Sequence, residues 1–304
     1  MKASIDIGTN TALLLVAEVD GDQLVVLEEQ QRVPRLGAGV DGSKELSSEA
    51  MQRVVASLKE FQEIVTANYP EVSDIFVTAT SAVRDANNRA VFMDLVERET
   101  GLQIQVLSGT EEAEYTFLGA QSVLGTVDGP QMIIDIGGGS TEIAYGGDQL
   151  QNRHSYDMGC VRFTERFLKS DPPKFVQIQK CREEIKKVLA EYPFNIADQT
   201  TMVGVAGTVT SLAFIDLELS SYKANLLSGH RITKESLKNY IRRFGRITSS
   251  KLEQKYPRVM KGRADIFLAG LLILDEFMDA YHFDELLTSA GGIRHGTILL
   301  NSSQ

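Results

Sequence analysis

Two short turns carry the most conspicuous chemistry in this sequence. Ile5-Asp6-Ile7-Gly8 runs into Thr9-Asn10-Thr11, and the same pattern returns as Ile134-Asp135-Ile136-Gly137 followed by Gly138-Gly139-Ser140-Thr141. An Asp in an apolar strand is costly to bury unless a cation compensates it. Glycines and hydroxyl residues directly after it let backbone N–H groups approach an anion closely. Hard carboxylate oxygens beside an amide-lined loop are what a Mg²⁺–phosphate site requires. A single copy reads equally well as a hairpin turn with a solvent-facing Asp; the repetition favours phosphate.

Other residues fit the same chemistry. Glu142 starts the segment after Ser140-Thr141, where it is placed to project beside Asp135. Glu112, with Glu111, sits in the first turn of a helix expected to be capped by Thr110. The helix dipole favours an ionised carboxylate there, as a general base also requires. Arg84 follows a strand end, where a guanidinium would clamp a phosphoryl group or pair on the surface with Asp85 or Glu97. Gly204–Ser211, with Gly207 and Thr208, resembles another phosphate turn entering a helix. Ser289–Gly296 is a further Gly-rich turn, with Arg294 as a candidate anion contact. Tight packing of helix on strand explains both of these turns as well.

Two motifs fail. Gly37-Ala38-Gly39-Val40-Asp41-Gly42 fits the dinucleotide-loop spacing, but Pro34 spoils the strand before it and the next helix begins only after Ser47. There is no P-loop. His154, His230, His282 and His295 are dispersed, and two cysteines, Cys160 and Cys181, form no Cys-x-x-Cys. A histidine- or cysteine-based metal site is therefore not expected, and a reducing cytoplasm is.

The elements that position these residues read as α/β. Strands are expected at Ala3–Gly8, Ala12–Val19, Gln23–Val33, Asp74–Thr80 and Gln103–Leu107. A helix begins at about Ser48 with Ser47 as cap, and Met51, Val54, Val55, Leu58, Phe61 and Val65 share one face. Helices are also expected near Val91–Val96, after Thr110, and over Lys174–Tyr192, Lys234–Ile247 and Ala264–Ala280. Ile75–Ala82 is echoed by Met202–Val209, so the halves repeat the same order of parts. A duplicated α/β domain with a cleft between the copies follows, divided at Thr126–Pro130 into 1–125 and 126–304.

Composition sets the outer limits. The chain has 304 residues, 43% apolar and 24% charged, and its longest apolar run, Ile266–Leu274, is too short to span a membrane. A net charge of −10 argues against nucleic-acid coating. Yet Lys238–Arg263 carries nine basic residues and one acid, Glu253. That is either a solvated face or a landing strip for a polyanion.

The motifs together resemble those of the exopolyphosphatase / guanosine pentaphosphate phosphatase family, of the actin-like ATPase superfold. The matching segments are Ile5–Thr11, Ala79–Asn87, Val106–Ala113, Asp135–Glu142, Met158–Glu165, Gly207–Ala213 and Ala290–Gly296, in the family's order. The resemblance implies an α/β fold of two ribonuclease-H-like domains around a central cleft, and Mg²⁺- (or Mn²⁺-) dependent release of a terminal phosphate. The family's base falls on Glu112, its arginine on Arg84, and its metal and water ligands on Asp135 and Glu142, with Asp6 as the equivalent of Asp135. Gly8, Thr9, Asn10, Gly137, Gly138, Gly139, Ser140, Thr141, Gly207 and Thr208 are the expected phosphate contacts. The expected substrate is inorganic polyphosphate or guanosine pentaphosphate, with no nucleic acid or membrane partner and a homodimer as the candidate assembly. A superfold kinase and a non-catalytic nucleotide sensor are weaker alternatives: the first wants an Asp base, the second lacks a reason for Glu112, Glu142 and Arg84. Long members continue into an all-helical module, whereas this chain stops at Gln304, so processivity on very long chains is not expected to carry over.

Overall fold

A computed structural model describes residues 1–302 except Asp22 and Thr126, and Gln23 by its backbone alone. The chain separates into two compact units, Met1–Val123 with Gly291–Gln304, and Leu124–Ala290.

The first unit is built on strands β1 (Lys2–Ile7), β2 (Ala12–Asp20), β3 (Gln23–Arg32), β4 (Ile75–Ala79) and β5 (Ile104–Val106). Their order is β3-β2-β1-β4-β5, antiparallel among the first three and parallel from β1 through β4 to β5. Helices α1 (Val40–Ser43), α2 (Ser48–Asn68), α3 (Ser81–Arg84), α4 (Arg89–Thr100) and α5 (Gly109–Leu124) join them. The α2 stripe expected from its spacing is buried, and Ser47 caps it by accepting from the Ala50 amide at 3.2 Å. Alternation along β2 places Leu14 and Val16 in the α2 core, and Leu15 and Ala17 on the opposite face.

The second unit repeats the plan. Strands β6 (Gln131–Ile136), β7 (Thr141–Gly146), β8 (Leu150–Tyr156), β9 (Thr201–Val205), β10 (Arg231–Thr233) and β11 (Glu285–Thr288) lie in the order β10-β11-β9-β6-β7-β8. β6 is antiparallel to β7 and parallel to β9, as β1 is to β2 and β4. The echoed sequence segments thus occupy equivalent strands. Helices are α6 (Cys160–Phe167), α7 (Phe175–Glu191), α8 (Ala206–Asp216), α9 (Ala224–Leu227), α10 (Lys234–Phe244), α11 (Ser249–Lys255), α12 (Pro257–Met260) and α13 (Ala264–Ala280). α13 is apolar nearly all round and buried, and it packs against α6, α7 and α10. No helix among the described residues is long and apolar enough to cross a membrane.

The final helix, α14 (Ile293–Leu300), differs from the sequence reading that placed 126–304 in one domain. It packs on β1, β2 and β4, with Ile298 against Leu15 and Ala17, and so belongs to the first unit. Amphipathicity shows that a terminal helix has a face to bury, not which sheet receives it. Thr126, at the expected boundary, lies outside the described residues, as does Gln304.

Candidate active-site groups

The two Asp-Gly turns are the same structure built twice. In the first, the Gly8 amide donates to the Thr11 carbonyl at 2.8 Å; in the second, Gly137 donates to Ser140 at 3.0 Å. The first turn is held from outside. Gly37 donates to the Thr9 carbonyl at 2.8 Å, and the Thr9 and Ser81 hydroxyls lie 2.9 Å apart. A Cβ on Gly37 would stand 2.2 Å from Thr9 Cγ2, so this glycine serves close packing against the turn rather than a dinucleotide. Asp6, Thr9 and Asn10 are all buried.

The second turn rests on the start of α6. Cys160 donates to the Gly137 carbonyl at 2.9 Å, Val161 to Gly138 at 2.8 Å, and Arg162 Nε to Gly139 at 2.6 Å. In trans peptides the following N–H points opposite to the carbonyl. The amides of Gly138, Gly139 and Ser140 therefore face away from α6, as an anion cradle needs. Gly159 permits this approach, because a Cβ there would meet the Gly138 carbonyl oxygen at 2.4 Å. Ser140 Oγ is buried and has no hydrogen-bond partner among the described residues. Thr141 differs from the expected phosphate contact in one respect: its hydroxyl donates to the Met158 carbonyl at 2.7 Å and so fixes the approach to α6.

Asp135 and Glu142 are directly opposite each other across β6 and β7. Both are buried, and Glu142 Oε1 accepts from Ser155 Oγ at 2.6 Å. Like charges at facing positions of an antiparallel pair repel, and burial raises the penalty. An all-oxygen pair so arranged fits a hard divalent cation, and it suits Mg²⁺ or Mn²⁺ over Zn²⁺. Asp6 occupies the matching position at the end of β1, next to Thr78 of β4.

In the first unit, Arg84 and Glu112 meet. Arg84 Nη1 donates to Glu112 Oε2 at 3.1 Å and to the Leu107 carbonyl at 3.0 Å, with Asp85 farther off at 3.9 Å. Glu97 instead accepts from Gln103, so of the two expected surface partners Arg84 keeps Asp85, and it adds a contact with the candidate base. Glu112 is 4% exposed, and the guanidinium compensates its charge.

The cap of α5 is Ser108 rather than Thr110. Glu111 donates its amide to Ser108 Oγ at 3.2 Å, and the Ser108 amide donates to Glu111 Oε2 at 2.8 Å. This reciprocal box engages Glu111 and leaves Glu112 as the buried carboxylate. The signal, Ser108-Gly109-Thr110-Glu111, was present in the sequence.

The other two Gly-rich turns divide. Gly207 and Thr208 open α8, where Arg263 Nη1 donates to the Gly207 carbonyl and to Ser211 Oγ, each at 3.1 Å. Arg263 stood out in the sequence only as the end of a basic run. The Ser289–Gly296 turn is a packing device. A Cβ on Gly291 would lie 2.0 Å from the Gly119 carbonyl oxygen, and one on Gly296 2.0 Å from that of Tyr115. Arg294, the candidate anion contact, is committed to the Leu14 carbonyl at 2.8 Å and to Glu29 at 3.0 Å.

The chain is similar to known proteins along nearly its whole length. The pattern of the Ppx/GppA phosphatase family matches residues 15–303. Exopolyphosphatase 2 of Mycobacterium tuberculosis is 33% identical over 98% of this chain and 97% of its own length. The crystal structure of an exopolyphosphatase-like protein superposes with a TM-score of 0.91 at 32% identity, covering 98% of this chain and 96% of that one. The Ppx/GppA family member of Aquifex aeolicus gives 0.82 at 28% identity, covering 99% and 97%.

Proposed function

The chain belongs to the Ppx/GppA phosphatase family and is a phosphatase, and we propose that it releases the terminal phosphate of inorganic polyphosphate. The observation that carries this reading is the buried Asp135–Glu142 pair beside the amide-lined Gly137–Ser140 turn. Buried facing carboxylates and outward amides together suit a cation-neutralised phosphoryl group. The named activity of the M. tuberculosis relative supports polyphosphate over a nucleotide.

In the proposed reaction, water attacks the terminal phosphorus in line with the bridging oxygen. A new P–O bond forms, the anhydride P–O bond breaks, and the shortened chain leaves as an anion. Glu112 orients the water and takes its proton. Arg84 pairs with Glu112 and offers its guanidinium to the phosphoryl oxygens. The amides of Gly8 and Gly137 are spent on the Thr11 and Ser140 carbonyls, so those of Thr9, Asn10, Gly138, Gly139 and Ser140 are assigned to the equatorial oxygens, with Gly207 and Thr208 as further anion contacts. Asp135 and Glu142 would hold Mg²⁺ or Mn²⁺, which supplies charge neutralisation at the phosphoryl group when bound; Asp6 is assigned the same ligand type. Positioning and charge carry most of the rate in such a transfer.

Steady-state phosphate release from polyphosphates of graded length, set against guanosine pentaphosphate, tests the reading. The expected outcome is a higher kcat/KM for polyphosphate, lost on chelation and restored by Mg²⁺ or Mn²⁺. A higher kcat/KM for guanosine pentaphosphate would replace it with the nucleotide activity.

A further inference from the structure

We infer that the outer surface of α10–α12 is a docking strip for the distal part of a polyphosphate chain, continuous with the Gly207 turn of the same unit. The inference rests on polyphosphate being the substrate. In sequence, Lys238–Arg263 was as readily a solvated face. The structure separates its cations into two groups. Lys238, with Lys234, pairs with Asp279, at 3.4 and 2.7 Å. By contrast Arg242, Arg243, Arg246, Lys251, Lys255 and Arg258 are exposed and have no carboxylate at ion-pairing distance among the described residues. So many unpaired cations on one stretch of a chain with net charge −10 is a local reversal of sign.

Two of them are brought together in space. Arg243 lies over the Phe244 ring, 6.0 Å to its centroid, and Lys255 over the Tyr256 ring at 5.5 Å. Those two rings touch edge to face, 6.1 Å apart, so the end of α10 lies against the α11–α12 corner. Ring faces hold the long side chains extended while leaving their charges in water. From α12 the chain passes through exposed Lys261 to Arg263, whose guanidinium bonds the Gly207 carbonyl. A line of cations therefore leads from solvent to a turn already assigned to phosphate. Its occupant should be flexible and uniformly anionic, since what the strip offers is exposed positive charge. An extended polyphosphate meets that description; each internal phosphate brings a negative charge.

The test replaces Arg242, Arg243 and Arg246 with Gln together, and uses Lys59, Lys186 and Lys187 to Gln as a charge-matched control from other exposed helix faces. Binding of long-chain polyphosphate and of tripolyphosphate is measured over a range of salt, beside phosphate release from each. The strip variant is expected to bind the long chain about tenfold more weakly, with a log–log salt slope shallower by about 2, from three lost contacts at ~0.7 each. Tripolyphosphate binding should change little, and the control should follow wild type. Unchanged long-chain binding, or an equal loss in the control, overturns the strip. Single-stranded RNA of matched charge binding as tightly as polyphosphate overturns the choice of occupant. Wild-type protein that binds long chains yet releases phosphate from none contradicts the functional reading instead, so the two failures are distinct.

Discussion

Replacing Glu142 with Gln should stabilise the metal-free protein and remove most of the stabilisation that Mg²⁺ gives wild type. Glu142 faces Asp135 across β6 and β7 and both are buried. Facing side chains in such a pair are ~5 Å apart, and two unit charges at that distance in an effective dielectric of ~20 repel by about 3 kcal/mol. Gln removes one charge, keeps the volume, and retains the oxygen that accepts from Ser155. Without metal, Glu142→Gln should therefore be more stable than wild type by about 1–3 kcal/mol, raising the Tm of the second unit by about 3–10 °C. With Mg²⁺ at a hundredfold excess over its Kd, wild type gains about 2.7 kcal/mol, and the variant, short of a ligand, gains little. Calorimetry in chelator and in Mg²⁺ reads both effects without reference to activity. A variant less stable than wild type in chelator would refute the repulsion. An equal Mg²⁺ shift in both proteins would refute the metal assignment.

Three further outcomes follow from individual contacts. Glu112→Gln keeps an acceptor for Arg84 but cannot take a proton, so turnover should fall ~10²–10⁴-fold with substrate binding retained, whereas Glu111→Gln should cost only part of a helix cap, about 1 kcal/mol; steady-state kinetics with equal turnover in Glu112→Gln would dismiss it as the base. Gly119→Ala forces a Cβ to 2.0 Å from the Gly292 carbonyl oxygen and should destabilise the first unit by about 2–4 kcal/mol in urea unfolding. Burial pushes the His295 imidazole from 6.5 down to about 3, so between those pH values the unfolded chain binds a proton that the folded chain refuses. Stability should fall as the pH drops through that window, by about 2 kcal/mol from about pH 7 to about pH 5, and His295→Gln should lack this slope; parallel slopes would contradict it.

How far the sequence speaks depends on whether an interaction is local. The Ile-Asp-Ile-Gly repeat was legible because each copy closes its own turn, Gly8 to Thr11 and Gly137 to Ser140, within four residues. α13 was legible end to end, because the apolar run Ile266–Leu274 at its centre needs no partner to be recognised. The contacts that turn those parts into chemistry are not local. Arg84 finds Glu112 through the packing of α3 and α5 beside β4 and β5, and neither flank of Arg84 announces it. Arg294 shows the converse: a guanidinium in a glycine-rich turn looks like an anion contact until β2 and β3 supply the Leu14 carbonyl and Glu29.

Which of two adjacent glutamates is buried is set by a contact that is nonetheless local. Glu111 and Glu112 are adjacent, equally acidic and in the same helical turn. Capping separates them. Ser108 and Glu111 bond each other's backbone amides, and that reciprocal geometry requires the carboxylate of Glu111 to turn back along the chain. The next residue is rotated by about 100° around the helix, and its side chain goes inward to Arg84. A capping box thus does more than start α5. By occupying one carboxylate it fixes the rotation of the first turn, and with it which glutamate is buried where proton transfer is assigned.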